Sequence, residues 1–370
     1  MIILYIVLLC LSIYKMKFSS HGTFYKDYMS PKQTVSIRGI FAVIIVFSHM
    51  SQYVEFHGGF LDSCYNMVGN RLGQLIVTVF FFYSGYGIWQ GYSKKKDYVS
   101  NFLKNRVLRT LIHFDIAVFL FLIVDLLLGI KYDTPNYILC WIGWLAIGNS
   151  KWFIFDILSM WIVTYFVFMI VEKNKSAAEK KVLLSSLLWG GILLLVGILY
   201  ILKHKDGSWW YDTLLVYPFG VTYSYMKESI EKYVMTKRWK LFLLCSIILF
   251  MMFYRIDSVF TYNIAACFFV LTITLITMKV KIENQVLIWL GNISFSIYII
   301  QRIPMIVLKN LKLDRQPYIF AMVVIPTVLL CGYVFDTLLK QVDFVFDKKV
   351  LKVPSNGIRQ SKNKTQPPQK

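Results

Sequence analysis

The chain has 370 residues, 57% of them hydrophobic and only 16% charged, with a mean hydropathy of +0.57. That balance argues against a soluble domain and for a polytopic membrane protein. A net charge of +20 at pH 7 raises nucleic acid as a partner, but 30 of the 40 Lys and Arg residues fall in alternate short segments between apolar runs. Such alternation is a topology signal and excludes the nucleic-acid reading.

In chain order, apolar runs predict spans near 1–14, 37–54, 73–91, 110–130, 152–171, 182–202, 209–226, 241–254, 259–278, 285–303 and 317–339. The expected fold is all-α, a polytopic bundle of about ten to eleven transmembrane helices. The stretch 137–149 is too short to cross and reads as a surface or partly inserted helix. The 1–14 run has no small-residue cleavage site after it and is expected to remain as an extra helix. The basic segments 15–38, 92–109, 172–181, 227–240, 279–281 and 340–370 are assigned to the cytoplasm, so the N-terminus is expected outside and the C-terminus inside. The organisation that follows is an added helix and basic loop (1–34), a membrane domain (35–340) and a basic, disordered cytoplasmic tail (341–370). Six scattered cysteines without a CxxC indicate neither a metal site nor a disulfide framework. No phosphate-binding loop, dinucleotide fingerprint or internal repeat is present.

The most informative residues come early. Arg38 and His49 lie eleven residues apart in SIRGIFAVIIVFSHM. At 100° per residue they share one helix face, roughly 16 Å apart along the axis. Ionisable groups in a membrane helix mark a functional site by default. The histidine can exchange protons near neutral pH, and the arginine can hold an anionic donor or anchor the helix end. A histidine that only bonds a neighbouring helix is the plainer alternative.

Further on, FFFYSGYGIWQGY carries Ser84, Gly85 and Gly87, a small-residue patch suited to close helix packing. KNRVLRTLIHFD puts Arg106, Arg109 and His113 on one face at the cytoplasmic edge. Two guanidinium groups there suit phosphate, which they bind bidentately; plain interaction with lipid headgroups is the rival. In SKWFIFDILSMW, Trp152 marks an interface and Asp156 lies a turn inside, where a carboxylate needs a partner or water. Asp115 and Asp125 raise the same question, and any of the three is a candidate partner for a protonated histidine. GNISFSIYIIQRIP places Ser294, Ser296, Tyr298 and Gln301 in an apolar span, for interhelical bonding if nothing more.

Together these segments resemble the bacterial membrane acyltransferase-3 family over roughly residues 35–340. Arg38 and His49 match its arginine–histidine spacing, and Arg106 and Arg109 its pair of arginines three apart. FFFYSGYGI, KWFIFDIL and SFSIYIIQ are similar to its later segments, except that Gln301 stands where the family often has histidine.

The resemblance implies an integral membrane O-acyltransferase that takes an acyl group, most simply acetyl, from cytoplasmic acyl-CoA. The acceptor would be a hydroxyl of an extracytoplasmic or lipid-linked glycan. His49 would be the catalytic base or nucleophile with Arg38 beside the donor path. Arg106, Arg109, Ser84, Trp152 and Tyr298 would contact substrate or donor, and no metal is implied. The expected location is the cytoplasmic membrane, in contact with lipid. A polysaccharide-unit transporter or flippase and a non-catalytic component of glycan assembly are the rival readings.

Overall fold

In a computed structural model of the chain, residues 1–131, 137–173 and 177–351 are described. The sequence dictates helices almost everywhere. In chain order they are α1 (Ile3–Ile13), α2 (Pro31–Met50), α3 (Phe60–Leu72), α4 (Leu75–Lys94) and α5 (Arg109–Leu128), the last entered through a π-helical turn Leu103–Leu108. Then come α6 (Trp152–Val171), α7 (Ala177–Lys203), α8 (Val216–Val234), α9 (Trp239–Tyr254) and α10 (Val259–Thr277). The chain closes with α11 (Gln285–Asn292), α12 (Ser294–Ile300), α13 (Arg302–Asn310) and α14 (Pro317–Leu351). Two short strands, β1 (Lys17–Phe18) and β2 (Val280–Lys281), pair antiparallel with Lys17 opposite Lys281.

Local chemistry sets the start of α2. Ser30 caps it, its hydroxyl oxygen accepting from the Gln33 N–H, and Pro31 occupies the first turn, where a missing N–H costs nothing. Two seams then fix the bundle around the candidate site. A Cβ on Gly85 of α4 would collide with the Tyr217 carbonyl of α8, and one on Gly220 of α8 with the Phe82 carbonyl of α4. Gly39 of α2 and Gly291 of α11 meet in the same reciprocal way, against the carbonyls of Leu287 and Val35. Glycine lets the backbones approach this closely, as small residues do between membrane helices. The SGYG patch thus serves packing through Gly85.

Among the described residues six helices are long and apolar enough to cross a membrane, or seven if a bent pair counts as one span, which fits a multi-pass membrane protein. The expected ten to eleven is not reached on length and composition. α1 and α9, at 11 and 16 residues, are shorter than a bilayer core requires. α4 and α8 are long enough but diluted by polar residues, among them Gln90 in α4 and Lys227, Glu228, Glu231 and Lys232 in α8.

The bent pair is Gln285–Asn292 with Ser294–Asn310, meeting at 53°. Ile293 breaks the helix, and the Ser294 hydroxyl donates to the Gly291 carbonyl (2.8 Å) beside the break. Irregular backbone at such depth is tolerated where it lines a cavity, and Ser294 and Phe295 do line one.

Two expected boundaries move. The run 209–226 is not one helix: Ser208–Trp210 forms a 3-10 turn, and α8 starts at Val216 with Pro218 in its first turn, where proline is accommodated. The segment 137–149 contains only a 3-10 turn, Tyr137–Cys140. α14 continues to Leu351, into the stretch expected as a disordered tail; 352–370 lies outside the described residues.

Candidate active site

A cavity of about 1000 Å³ opens beside α2 at its Arg38 end. Lys26, Arg38, Lys94, Arg106, Arg109 and Lys227 line it, and Asp27 is the one carboxylate among its lining residues. Asp27 is itself bound to Lys281 (2.5 Å), whose ammonium holds the Asp27 carboxyl below the usual carboxylate range. The cavity is therefore strongly cationic. From this end it runs past Tyr83 and Ser84 to Ile45, Ile157, Phe153 and Tyr298, so that its far end is apolar and aromatic.

The three arginines that line it behave differently. Arg106 lies over the Trp161 ring (5.6 Å) and makes no ion pair among the described residues. Trp161 in turn donates its indole N–H to the Ser84 hydroxyl (3.0 Å). Arg38 has no ion-pair partner among the described residues either, and faces Tyr83 and Arg106. Arg109 is engaged: its Nη2 meets Asp347 at 2.7 Å and its Nε stands 3.6 Å from Asp343, both on α14. Asp343 also takes the His113 Nε2 at 2.9 Å, and the Phe346 ring lies 5.7 Å from the Arg109 guanidinium.

His49 sits beyond the far end. It does not line the cavity. The Tyr298 ring stands between, its centroid 6.2 Å from that of His49, and Phe153 packs edge-on against Tyr298 at 5.1 Å. Gln301 and Arg302 flank the imidazole. The His49 Nδ1, the Tyr298 hydroxyl and the Gln301 Oε1 are sealed from solvent and close no well-formed hydrogen bond among the described residues, although the Gln301 side chain lies within reach of the imidazole and the Phe153 backbone within reach of the phenol. The Gln301 amide N–H donates to the Tyr298 carbonyl (3.1 Å), which fixes both side chains on the same bent span. Buried polar groups are ordinarily paired, so three together ask for an explanation.

The structure thus gathers Arg38, Ser84, Arg106, Arg109 and Tyr298 around one cavity and sets His49 behind Tyr298. Trp152, at the start of α6, is not among the lining residues. Of the three carboxylates expected as partners for the histidine, neither Asp156 nor Asp115 bonds to it. Asp156 is fully buried, and both its oxygens lack partners among the described residues; its nearest titratable neighbours are Asp212 and Tyr298. Asp212 accepts from the Gln74 amide (2.6 Å). Asp115, on α5, makes no contact with His49. The physical reason is register. His49 turns toward the bent span, and the polar groups that span offers are amide, phenol and guanidinium.

Sequence reasoning missed Trp161, Tyr83, Asp343, Asp347 and Arg302. Asp343 and Asp347 lie in what reads as tail, and nothing local signals that they return to Arg109. Arg302 was legible: it is a charge inside an apolar span.

A family model described as an acyltransferase domain matches residues 36–336. No curated protein and no solved structure matches the chain.

Proposed function

The chain belongs to the membrane acyltransferase-3 family, and from that membership we propose that it moves an acyl group, acetyl in the simplest case, from acyl-CoA to a glycan hydroxyl across the bilayer. One observation supports this reading most: a cationic cavity of about 1000 Å³ that ends on Tyr298, against His49.

Acyl-CoA fits the cavity's chemistry. Its nucleotide end carries a phosphate and a diphosphate, and Arg106, Arg38, Lys26 and Lys94 supply cations that make no ion pair among the described residues, while Lys227 is paired with Glu231. The volume suits a ligand of that size. The pantetheine arm is long and thin, as is the path past Tyr83 and Ser84. Arg109, held by Asp343 and Asp347, contributes to the field and shapes the mouth more than it contacts phosphate directly.

At the far end His49 takes the proton of the acceptor hydroxyl as the oxygen attacks the thioester carbonyl. The tetrahedral intermediate collapses, the C–S bond breaks, and the CoA thiolate leaves with a proton. The alternative in which the imidazole is first acylated uses the same contacts. Either route requires Tyr298 to swing aside, since its ring separates the cavity from the imidazole. The basic end is read as cytoplasmic from the charge alternation, in the cytoplasmic membrane, with the acceptor reaching His49 from outside. Residues 35–340 form the transferring domain, and 1–34 and 341–370 flank it.

The bent span beside the cavity favours one rival, a transporter, because broken helices mark many substrate sites in such proteins. The test is glycan O-acetylation, read by NMR on surface polysaccharide from cells lacking the protein and complemented with wild type or His49→Ala. Acetyl signals should vanish in the deletion, return with wild type and stay absent with His49→Ala. Full acetylation with His49→Ala sinks the mechanism; a change in polysaccharide amount without a change in acetylation favours the transporter.

A further inference from the structure

The residues past His49 carry a statement about the acceptor. It rests on the acyl-transfer reading for its meaning but not for its geometry. Gln52 and Tyr53 continue the turn that follows α2, with Gln52 N–H bonded to the His49 carbonyl (3.0 Å). Arg302 lies one turn beyond Tyr298 on the bent span, on the side away from the donor cavity, whose lining does not include it.

There Arg302 is held in place. Its Nε donates to the Ser150 hydroxyl (2.9 Å), one terminal nitrogen to the Gln52 amide oxygen and the other to the Tyr53 hydroxyl (3.5 Å). Ser150 is buried, which anchors the guanidinium from below. All these partners are neutral, and among the described residues Arg302 has no carboxylate partner. The acidic residues of the neighbouring loop are committed elsewhere. Glu55 meets His57 (3.1 Å), and Asp62 accepts from the Tyr318 hydroxyl and the Gly58 N–H. A second cation, the exposed Lys309, lies 5.8 Å from the Tyr53 ring, and Gln52 is exposed, so the place is open to approach.

A fixed, uncompensated guanidinium next to a second cation is a receptor for an anionic oxygen group. The donor's phosphates have their own cations at the opposite end, beside Arg38, which is itself roughly 16 Å from His49 along α2. We propose that Arg302, supported by Lys309, binds a carboxylate or phosphodiester of the acceptor, so that the substrate class is an anionic glycan. One helical turn, about 5.4 Å, separates Arg302 from Tyr298 and the imidazole beside it. The charged group and the acylated hydroxyl then lie on the same or adjacent sugars.

The test uses the full chain in phosphatidylcholine nanodiscs. Binding is measured for a galacturonic-acid tetrasaccharide, its carboxyl-reduced counterpart and a glycerol-phosphate tetramer. At least one of the two anionic probes should bind about tenfold more tightly than the neutral one, the worth of one charge-assisted contact. Arg302→Gln should bring the anionic and neutral probes to within twofold, Arg302→Lys should keep part of the preference, and Lys309→Gln should reduce it. Both Arg302 variants should elute as monodisperse protein and bind acetyl-CoA as wild type does.

Equal binding of charged and neutral probes overturns the proposal. So does a preference that survives Arg302→Gln, or no measurable binding of any probe. If phosphatidylglycerol in the discs abolishes the preference, and Arg302→Gln lowers the amount of that lipid retained, the site belongs to a lipid headgroup and the glycan assignment is wrong. Failure of acetyl-CoA to bind wild type would sink the acyl-transfer reading separately, and the anion preference would still be decided by its own variants.

Discussion

The two ends of α2 are built on opposite principles. Around Arg38 the protein leaves space and charge: a cavity of about 1000 Å³ with six cations and a single carboxylate on its walls. That cavity's lining does not include His49, and around the imidazole the protein instead keeps polar atoms buried without a well-formed hydrogen bond among the described residues, on His49, Tyr298, Gln301 and Asp156. Unsatisfied charge in an open cleft is inexpensive and awaits an anion. Unsatisfied polar atoms in a closed one cost roughly 1–3 kcal/mol each. The first end is ready for a ligand. The second is sealed until something moves, and Tyr298 is the side chain that does the sealing.

The largest expected effect separates the ends cleanly. His49→Ala should lower acyl transfer by about 10²–10⁴-fold, the usual range for removing a proton-transfer group, and leave acetyl-CoA affinity within twofold. Radiolabelled acetyl transfer and equilibrium binding on the same nanodisc preparation measure both. Loss of binding together with transfer would mean that the ends are not independent.

Next come the arginines. Arg106→Ala removes an unpaired guanidinium and should weaken acetyl-CoA binding about tenfold or more, with a shallower dependence on salt. Arg109→Ala should weaken it less. Its larger consequence is for α14, whose Asp343 and Asp347 lose their cation; proteolysis near residue 343 should speed up. If Arg109→Ala costs more affinity than Arg106→Ala, the division of labour is reversed.

Tyr298→Ala tests the seal. With the ring gone, water reaches the thioester, and acetyl-CoA hydrolysis without acceptor should rise a few-fold while Tyr298→Phe, which keeps the ring, changes it little. An unchanged hydrolysis rate in Tyr298→Ala would place the barrier elsewhere.

Much of this was legible in the sequence, and the exceptions follow a rule. α6 begins and ends where the apolar run does, at 152 and 171, because nothing in that run competes with helix. That Arg106 and Arg109 would come to one place was readable from their closeness in the chain, whereas the expected Arg38–His49 face is not what the cavity follows, since Arg38 lines it and His49 does not. Partners were not. That Arg109 would be held by Asp343, or that Asp156 would neighbour Asp212 rather than His49, depends on which helices touch, and spacing along one helix does not encode that. The α8 boundary failed for a local reason: aromatic residues at 209–211 make a run look spanning although Ser208–Trp210 form a separate 3-10 turn ahead of the next helix.

The smallest effect concerns the one carboxylate that interrupts the cationic end. Asp27 is held by Lys281, and its folded-state pKa is lowered from 3.8, first by the hydrogen bond from that ammonium. A depressed carboxyl contributes stability that is present above its unfolded pKa and fades as pH falls through its lower folded value. Asp27 is about half exposed (51%), so solvent screening holds the contribution below about 1 kcal/mol. Asp27→Asn should therefore unfold at a slightly lower temperature than wild type at pH 7, with the gap closing between pH 4 and the acid limit. The same substitution removes the one carboxylate among the described lining residues and leaves Lys281 paired only with Glu283 (3.6 Å), so acetyl-CoA affinity at pH 7 should rise, by no more than about threefold. A fall in affinity would mean that Asp27 orients a cation the donor needs, and the contrast between an open, mainly cationic end and a sealed polar end would have to be redrawn.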